Sequence, residues 1–386
     1  MTRALILFLI FSSCLAAAQA PAPKDVDIAA PDGVKLRATF FASEKPGPGV
    51  LLLHMCNTTR KSWEPVAKQL AQSGINALTV DNRGFGESGG PRYDVAAPDA
   101  ARQIQQQWRA DFDAVLQYLA SQLGVDKERL AVGGGSCGVD NAVKVAEHHP
   151  NTKAMVLLAG NTDPEGDNFI FKRADIPIFT AAADDDEYSP TTVQMMEWYA
   201  QLSGNPRSKS VRFAEGRHGT EIFGPHPELV TQITAFYVDT LVTKPGGPIL
   251  NPRSTPVREF WELTSHPGDA LKAAEMFHKA RKKDAKALFF PEPVMNLLGY
   301  ARLQSGDKQD AVELFKLNVE AYPASANAQD SLSDGYLALG QKDLALAADE
   351  KCLELLPADP APADFKAQLK AAAEKKVAEL RAGKTP

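Results

Sequence analysis

A glycine-rich stretch, LAVGGGSCGV, places two side chains that could act as nucleophiles next to each other, Ser136 and Cys137. Gly134 and Gly138 stand two positions on either side of the serine, between an apolar run and a helical pattern. A sharp strand-to-helix turn of the G-x-S-x-G type exposes its central side chain, and the glycines avoid steric clashes there. The same pattern centred on the cysteine would put Val139 in a glycine position, so the register favours Ser136. The alternative is a glycine-rich turn without a catalytic role.

An acid and a base follow the serine at the ends of later apolar runs. The run IPIFTAAA leads into the acidic cluster DDDE at residues 184–187, and VRFAEGR leads into His218. A serine hydroxyl is a weak nucleophile until a base accepts its proton, and an acid holds the imidazole of that base in the required tautomer. The order serine, acid, histidine after successive strands therefore predicts a catalytic triad. Taken singly, the acidic cluster would be a solvated loop or at most a cation site, and the histidine would be an exposed side chain.

Short apolar runs alternate with helical patterns from about residue 50 to residue 242. Continuous apolar runs such as GVLLLHM and INALTV are typical of strands that are buried on both faces. Residues 62–73 and 100–123 carry apolar side chains at helical spacing. This alternation predicts an α/β fold with a doubly wound, mostly parallel sheet, and ligands bind such sheets outside the carboxyl ends of the strands. We therefore expect the serine, the acid and the histidine to meet at one edge of the sheet.

The last third of the chain has a helical pattern instead. Residues 243–257, rich in proline and glycine, predict a linker between a catalytic domain over residues 21–242 and a small all-α domain over residues 258–386. In the second part, five residues recur after 34 positions: Leu298, Leu303, Gly306, Ala311 and Pro323 match Leu332, Leu337, Gly340, Ala345 and Pro357. This period is typical of tetratricopeptide helix pairs. Such a region would bind a protein partner, mediate self-association or only pack against its neighbour.

Residues 1–20 predict a secretory signal peptide. Arg3 precedes the apolar run LILFLI, and Ala18 and Ala20 form a small-residue cleavage site. An uncleaved anchor and a lipid attached at Cys14 are the alternatives. We therefore expect an exported protein, periplasmic or secreted, and no later run is long enough to span a membrane. The formal net charge is -6 and no basic cluster stands out, which argues against a nucleic-acid partner.

These motifs together resemble the α/β-hydrolase family, in particular its dienelactone hydrolase-like and small esterase branches. The stretches VLLLHMCNTTRKSW, GINALTVDNRGFGESGG, LAVGGGSCGVDNAV, IPIFTAAADDDEYSP and EGRHG follow the family's order over roughly residues 25–242. The resemblance implies Ser136 as the nucleophile and His218 as the general base, with His226 as the fallback. In this family a Gly-x-x-Asp follows the strand before the acid. Here Ala183 takes the glycine position, which implies Asp186 as the orienting acid.

The resemblance also implies an oxyanion hole made of two backbone N–H groups. One donor would be Cys137, directly after the nucleophile, and the other would be Met55 or Cys56, directly after His54. The resemblance implies a structural role for His54 itself. The usual His-Gly of the family is His-Met here, and methionine adopts glycine-like backbone angles only at a cost. Cys56 and Cys137 would then both lie at the hole, either as a disulfide in an oxidising compartment or as two buried thiols.

Together these features predict an exported serine hydrolase that cleaves an ester or a lactone through an acyl-enzyme, with no cofactor and no metal. A second hypothesis is a peptidase-like serine hydrolase. A third is a non-catalytic hydrolase-fold scaffold whose helical repeat binds a protein. The expected partners are a small-molecule ester or lactone, and a protein or a second copy of the chain bound through residues 258–386.

Overall fold

The computed structural model describes residues 21–245 and 252–383. The predicted signal peptide, the lipid site at Cys14 and the middle of the predicted linker lie outside these residues. We refer below to residues 24–243 as the sheet region and to residues 256–381 as the helical region.

Eight strands form one sheet in the order β1-β2-β4-β3-β5-β6-β7-β8. Strand β2 is antiparallel to both of its neighbours, and all the other pairs are parallel. The central strands β3 and β4 are buried along their whole length, as their continuous apolar runs predict. This order and these directions are those of the α/β-hydrolase fold, which confirms the predicted fold class. The strands are β1 Lys24–Ala29, β2 Lys35–Phe41, β3 Gly47–Leu53, β4 Asn76–Val80, β5 Val125–Gly135, β6 Thr152–Leu158, β7 Ile178–Ala183 and β8 Lys209–Phe213.

Helices cover both faces of the sheet, and each face has its own apolar layer. The helix after β5 and the loops after β7 and β8 begin at the same edge of the sheet, because the strands that precede them are parallel. The sequence did not predict α4, and β5 is longer than its apolar part. The helices of this region are α1 Glu64–Gln72, α2 Pro98–Ser121, α3 Cys137–His148, α4 Pro164–Lys172, α5 Thr192–Leu202 and α6 Glu228–Tyr237.

The helical region consists of seven helices within the described residues. Helices α11 and α12 begin 34 residues after α9 and α10, so the sequence repeat corresponds to two successive helix pairs. Gly306 and Gly340, the repeated glycines, both have positive φ in the turns between the paired helices. No helix among the described residues combines the length and the apolarity needed to cross a membrane. The helices are α7 Pro256–Ser265, α8 Ala270–Lys283, α9 Glu292–Ser305, α10 Lys308–Ala321, α11 Ala326–Ala338, α12 Lys342–Leu355 and α13 Ala363–Arg381.

The helical region packs against α5 through aromatic side chains. Trp198 of α5 lies edge-on to Trp261 of α7, with ring centroids 5.5 Å apart. The indole N–H of Trp198 also donates a hydrogen bond of 3.0 Å to the carbonyl oxygen of Phe289, in the loop before α9. Both tryptophans and the phenylalanine are buried, and they are continuous with the apolar layer of the sheet. The start of α9 is therefore held beside the edge of the sheet at which β7 ends.

Candidate active site

Ser136 occupies the sharp turn between β5 and α3, with backbone angles φ 54° and ψ -123°. A positive φ is uncommon outside glycine and marks a strained backbone. The turn closes because its neighbours are glycines. A Cβ at Gly134 would collide with the carbonyl oxygen of Gly138, and a Cβ at Gly138 would lie 2.5 Å from the carbonyl oxygen of Leu53. The structure thus places Ser136, and not Cys137, at the centre of the turn.

His218 and Asp186 form a nearly buried pair beside this turn. The Nδ1 atom of His218 lies 2.7 Å from Oδ2 of Asp186, and the two side chains are 8% and 2% exposed. The other carboxylate oxygen, Oδ1, accepts hydrogen bonds from the backbone N–H groups of Tyr188 and Ser189. Because Nδ1 is engaged with the carboxylate, Nε2 is the ring nitrogen that remains to accept a proton from a nucleophile.

The neighbouring acidic residues point to other partners. Asp184 accepts a hydrogen bond of 2.8 Å from the guanidinium of Arg212, and Asp185 accepts one of 2.8 Å from the backbone N–H of Arg217. Glu187 pairs with the side chain of Arg217. Of the four acidic residues after β7, Asp186 is therefore the one that the structure brings to His218.

One cavity of about 350 Å³ is lined by Ser136, Cys137 and His218 together. No hydrogen bond joins the hydroxyl of Ser136 to the imidazole of His218 among the described contacts. Hydrogen bonds between catalytic groups are often long in the absence of substrate and tighten when it binds. The serine and the histidine therefore line one cavity without a direct hydrogen bond between them among the described residues.

The two other histidines considered from the sequence lie in different settings. His54 is fully buried, its Nδ1 lies 2.6 Å from the carbonyl oxygen of Met55, and its Nε2 accepts a hydrogen bond of 2.9 Å from the N–H of Asn82. Burial lowers the pKa of His54, so the neutral ring is favoured. His226 contacts Glu228 and the carbonyl oxygen of Glu215, and does not line the cavity.

The candidate oxyanion donors lie in two neighbouring segments, and of the three only Cys137 lines the cavity. Cys137 is the first residue of α3, where backbone N–H groups have no acceptor within the helix and the helix dipole favours negative charge. Met55 and Cys56 follow β3, which pairs with β5 along its whole length. A disulfide joins Cys56 to Cys137, with Cα atoms 5.9 Å apart, so the alternative of two separate thiols is not what the structure contains. The sulfur of Cys137 is consequently engaged and is not the nucleophile.

Met55 fits at a position where the family has glycine because two other glycines make room for it. Its backbone is not among the positive-φ positions of the described residues, so no glycine-like conformation is required. Its buried side chain lies against Gly135 and Gly219, and its sulfur accepts a hydrogen bond of 3.3 Å from the N–H of Thr220. A Cβ at Gly219 would collide with that sulfur. The methionine thus packs between the strand that carries the serine and the loop that carries His218.

Two residues that the sequence did not single out complete the walls of the cavity. The ring of Tyr188 lies 4.6 Å from the imidazole of His218, and the phenol oxygen of Tyr188 accepts a hydrogen bond of 3.2 Å from Asn57. Pro293 reaches the cavity from the start of α9. The position of Tyr188, two residues after the acid, could have suggested it. Nothing local marks Pro293, because its place depends on how the helical region packs.

A buried polar cluster supports the loop after β6, which forms another wall. The hydroxyl of Thr162 donates a hydrogen bond of 2.6 Å to Asp140 of α3, and the N–H of Thr162 donates to the phenol oxygen of Tyr199. Burial raises the pKa of Asp140 and raises that of Asp167, which is hydrogen-bonded to Tyr199, well above the usual value. These contacts fix the loop between α3 and α5.

Comparisons with known proteins find a family model that matches part of the sheet region, and curated relatives that cover part of the chain. A family model described as serine aminopeptidase, S33, matches residues 44–183. A thiohydrolase of Aspergillus aculeatus is 34% identical over 124 residues, which are 32% of this chain and 36% of that protein. An esterase of Escherichia coli is 26% identical over 176 residues, which are 42% of this chain and 66% of that protein. The chain thus spans from about a third to about two thirds of the length of these relatives.

Solved structures similar to this chain include an esterase of Pyrococcus furiosus, with 18% identity and a TM-score of 0.45, covering 57% of this chain and 93% of that one. A dienelactone hydrolase-like promiscuous phosphotriesterase from metagenomic libraries has 17% identity and a TM-score of 0.46, covering 57% of this chain and 100% of that one. The family model matches within the sheet region, and the order and directions of the strands are those of the α/β-hydrolase fold.

Proposed function

We propose that the protein is a serine hydrolase that cleaves a carboxylic ester or a lactone through an acyl-enzyme. The observation that carries the proposal is the arrangement of three groups around one cavity. Ser136 lies at a strained strand-to-helix turn, and His218 lies beside it with Nδ1 held by Asp186. The named relatives, a thiohydrolase and an esterase, support an activity on ester-like bonds.

In the proposed mechanism the Oγ atom of Ser136 attacks the carbonyl carbon while its proton passes to Nε2 of His218. The carboxylate of Asp186 stabilises the imidazolium that forms. The negative charge on the carbonyl oxygen is stabilised by the backbone N–H of Cys137 and by that of Met55 or Cys56. His218 then protonates the leaving alcohol. A water molecule, deprotonated by the same imidazole, attacks the acyl carbon, and His218 returns the proton to Oγ of Ser136 as the bond to the serine breaks and the acid leaves. These reaction steps require no cofactor.

A panel of substrates tests this proposal. We expect the protein to hydrolyse p-nitrophenyl acetate, p-nitrophenyl butyrate or dihydrocoumarin, and we expect Ser136→Ala to lower kcat/KM by roughly a thousandfold or more. Ser121→Ala, at the exposed end of α2, is the matched control and should retain wild-type activity. Loss of activity in both variants, or in neither, would contradict the assignment of the nucleophile.

The family match favours one second candidate, a peptidase-like activity, because the matching model describes a serine aminopeptidase. Aminoacyl p-nitroanilides belong in the same panel for this reason. Faster turnover of anilides than of esters would favour the peptidase. A protein that hydrolyses neither class would favour the non-catalytic scaffold.

We also propose that the protein is exported and that its helical region is tetratricopeptide-like. The N-terminal twenty residues support cleavage after Ala20, which N-terminal sequencing of the protein from its native compartment would test. The 34-residue spacing of the two helix pairs supports a tetratricopeptide-like region. Size-exclusion chromatography with light scattering would show whether this region mediates self-association.

A further inference from the structure

A second cleft lies where the helical region meets the loop after β7. Its volume is about 590 Å³, larger than that of the cavity at Ser136. One wall comes from the segment 188–194 of the sheet region, and the other comes from the starts of α9, α11 and α13. Each of the two cavities falls within the range of roughly 300–1,000 Å³ that is usual for small-molecule sites. The cleft is therefore large enough to hold a substantial part of a ligand.

The cleft adjoins the cavity at Ser136. Four residues line both spaces: Tyr188, Ser189, Thr191 and Pro293. Tyr188 lies between them, since its ring contacts the imidazole of His218 on one side. A molecule whose carbonyl group lies at Ser136 can therefore extend past Tyr188 and Pro293 into the cleft.

The lining of the cleft is mostly apolar and, among the described residues, includes no cationic side chain. Prolines and aromatic rings dominate it, among them Pro323, Pro362, Tyr322 and Phe365, and no lysine, arginine or histidine lines it among the described residues. The ring of Phe365 is 43% exposed. An exposed aromatic ring among prolines offers a flat, rigid surface for another ring at a low cost in conformational entropy.

The two carboxyl groups of the cleft already have partners. Asp359 accepts hydrogen bonds from the backbone N–H groups of Ala326 and Ala361, one on each oxygen. Glu292 accepts a hydrogen bond of 2.8 Å from Asn327, and burial raises its pKa. These groups are satisfied within the protein, so they do not demand a charged ligand. Without a cation, the cleft also has no group to pair with a carboxylate or a phosphate.

We propose that this cleft binds the bulky, uncharged and apolar part of the ester or lactone substrate, such as an aromatic or alicyclic group. The inference rests on the proposed function, because it assigns the cleft to the substrate of the site at Ser136. The helical region then contributes directly to substrate selection.

Two matched pairs of esters test this inference, one for each side of the ester bond. The first pair is p-nitrophenyl acetate and p-nitrophenyl 4-biphenylacetate, and the second is phenyl acetate and 4-biphenylyl acetate. We expect kcat/KM of the wild type to be roughly tenfold or more higher for the biphenyl member of at least one pair, because the biphenyl group would bury apolar area in the cleft. Ala324→Trp, at an exposed position that lines the cleft, should abolish this preference, so that kcat/KM for the biphenyl ester falls to that for the small ester.

Ala372→Trp, exposed on α13 and outside the cleft, is the matched control and should keep the preference. Phe365→Ala provides a second variant that removes a contact instead of filling the cleft, and it should reduce the preference. The inference is overturned if the wild type prefers the biphenyl member in neither pair, or if the preference persists in Ala324→Trp, in which case the cleft belongs to another ligand such as a peptide. If the wild type hydrolyses none of the four esters, the result would instead contradict the proposed function itself.

Discussion

Cys56 and Cys137 are joined by a disulfide that links the loop after β3 to the first residue of α3. These are the two segments from which the proposed oxyanion donors come. Backbone donors stabilise a transition state only when they are held at the correct distance, and losing one donor costs on the order of a hundredfold in rate. We infer that the disulfide fixes the separation of the two donors.

Reduction of this disulfide should lower both stability and activity. The bond closes a loop over a sequence separation of 81, so removing it should cost roughly 2–4 kcal/mol of unfolding free energy through the entropy of the unfolded chain. Urea unfolding of the Cys56→Ser/Cys137→Ser variant measures the loss. Thiol titration of unfolded residues 21–386 should find one thiol, Cys352, and three would mean that the bridge is absent.

Gly219→Ala should impair the site more than an ordinary glycine substitution does. The backbone at Gly219 has φ +53°, and a Cβ there would collide with the sulfur of Met55. Gly268 provides a control, because its φ of +87° is also positive and nothing lies within 4 Å of its Cβ position. The control should lose about 1 kcal/mol of unfolding free energy from the backbone alone.

Comparison of the two variants isolates the contact with the methionine. We expect Gly219→Ala to lose more stability than Gly268→Ala and to lower kcat, since the displaced loop carries His218. In combination with Met55→Ala, the loss of stability should be smaller than the sum of the losses in the two single variants. Equal losses in the two glycine variants would mean that Met55 does not constrain the loop.

Asp186→Asn should lower kcat on the order of a thousandfold while leaving the fold intact, because an amide favours the wrong tautomer of His218. Asp184→Asn is the matched control, since Asp184 pairs with Arg212 at the surface. Steady-state kinetics on p-nitrophenyl butyrate, with circular dichroism to confirm folding, measures the difference. A larger effect of Asp184→Asn than of Asp186→Asn would contradict the assignment of Asp186 as the orienting acid.

The pH dependence of stability should report the burial of His54. Burial lowers the pKa of His54 in the folded state below its ordinary value of 6.5, so below pH 6.5 the unfolded chain binds the proton first. The free energy of unfolding is therefore unaffected by His54 above pH 6.5. It decreases as the pH falls from 6.5 towards the pKa of His54 in the folded state, by up to about 1.4 kcal/mol per pH unit.

Urea unfolding at pH 7.5 and pH 5.5 measures this dependence. The loss of stability between the two pH values should be smaller in His54→Gln than in the wild type. His278→Gln, at an exposed position of α8, is the control and should keep the wild-type dependence. An unchanged dependence in His54→Gln would show that this imidazole is not the group responsible.

Much of the sheet could be predicted because its central strands are buried on both faces and therefore appear as continuous apolar runs. The position of Ser136 in its turn could also be predicted, since steric exclusion at Gly134 and Gly138 fixes the register. Helix α4, with the sequence PEGDNFIFK, carries too little periodic signal to stand out, because its large apolar side chains are three consecutive residues. Its first turn is instead marked by the capping side chain of Asp163.

Other features of the site depend on contacts between distant segments. The sequence left open whether Cys56 and Cys137 pair, because their separation is set by the alignment of β3 with β5. The accommodation of Met55 required knowing that Gly219 lies opposite it. The place of Pro293 in the cavity follows from the aromatic packing between α5 and α7, which no local pattern reports. The catalytic roles of Ser136 and its partners remain predictions.

Labelling with a fluorophosphonate probe tests the central claim most directly, because such a probe reacts only with a serine activated by its neighbours. The account predicts that the folded protein is labelled on Ser136, as located by mass spectrometry of its peptides, and that Asp186→Asn is labelled much more slowly. Absence of labelling, or labelling at another serine in the folded protein, would contradict it.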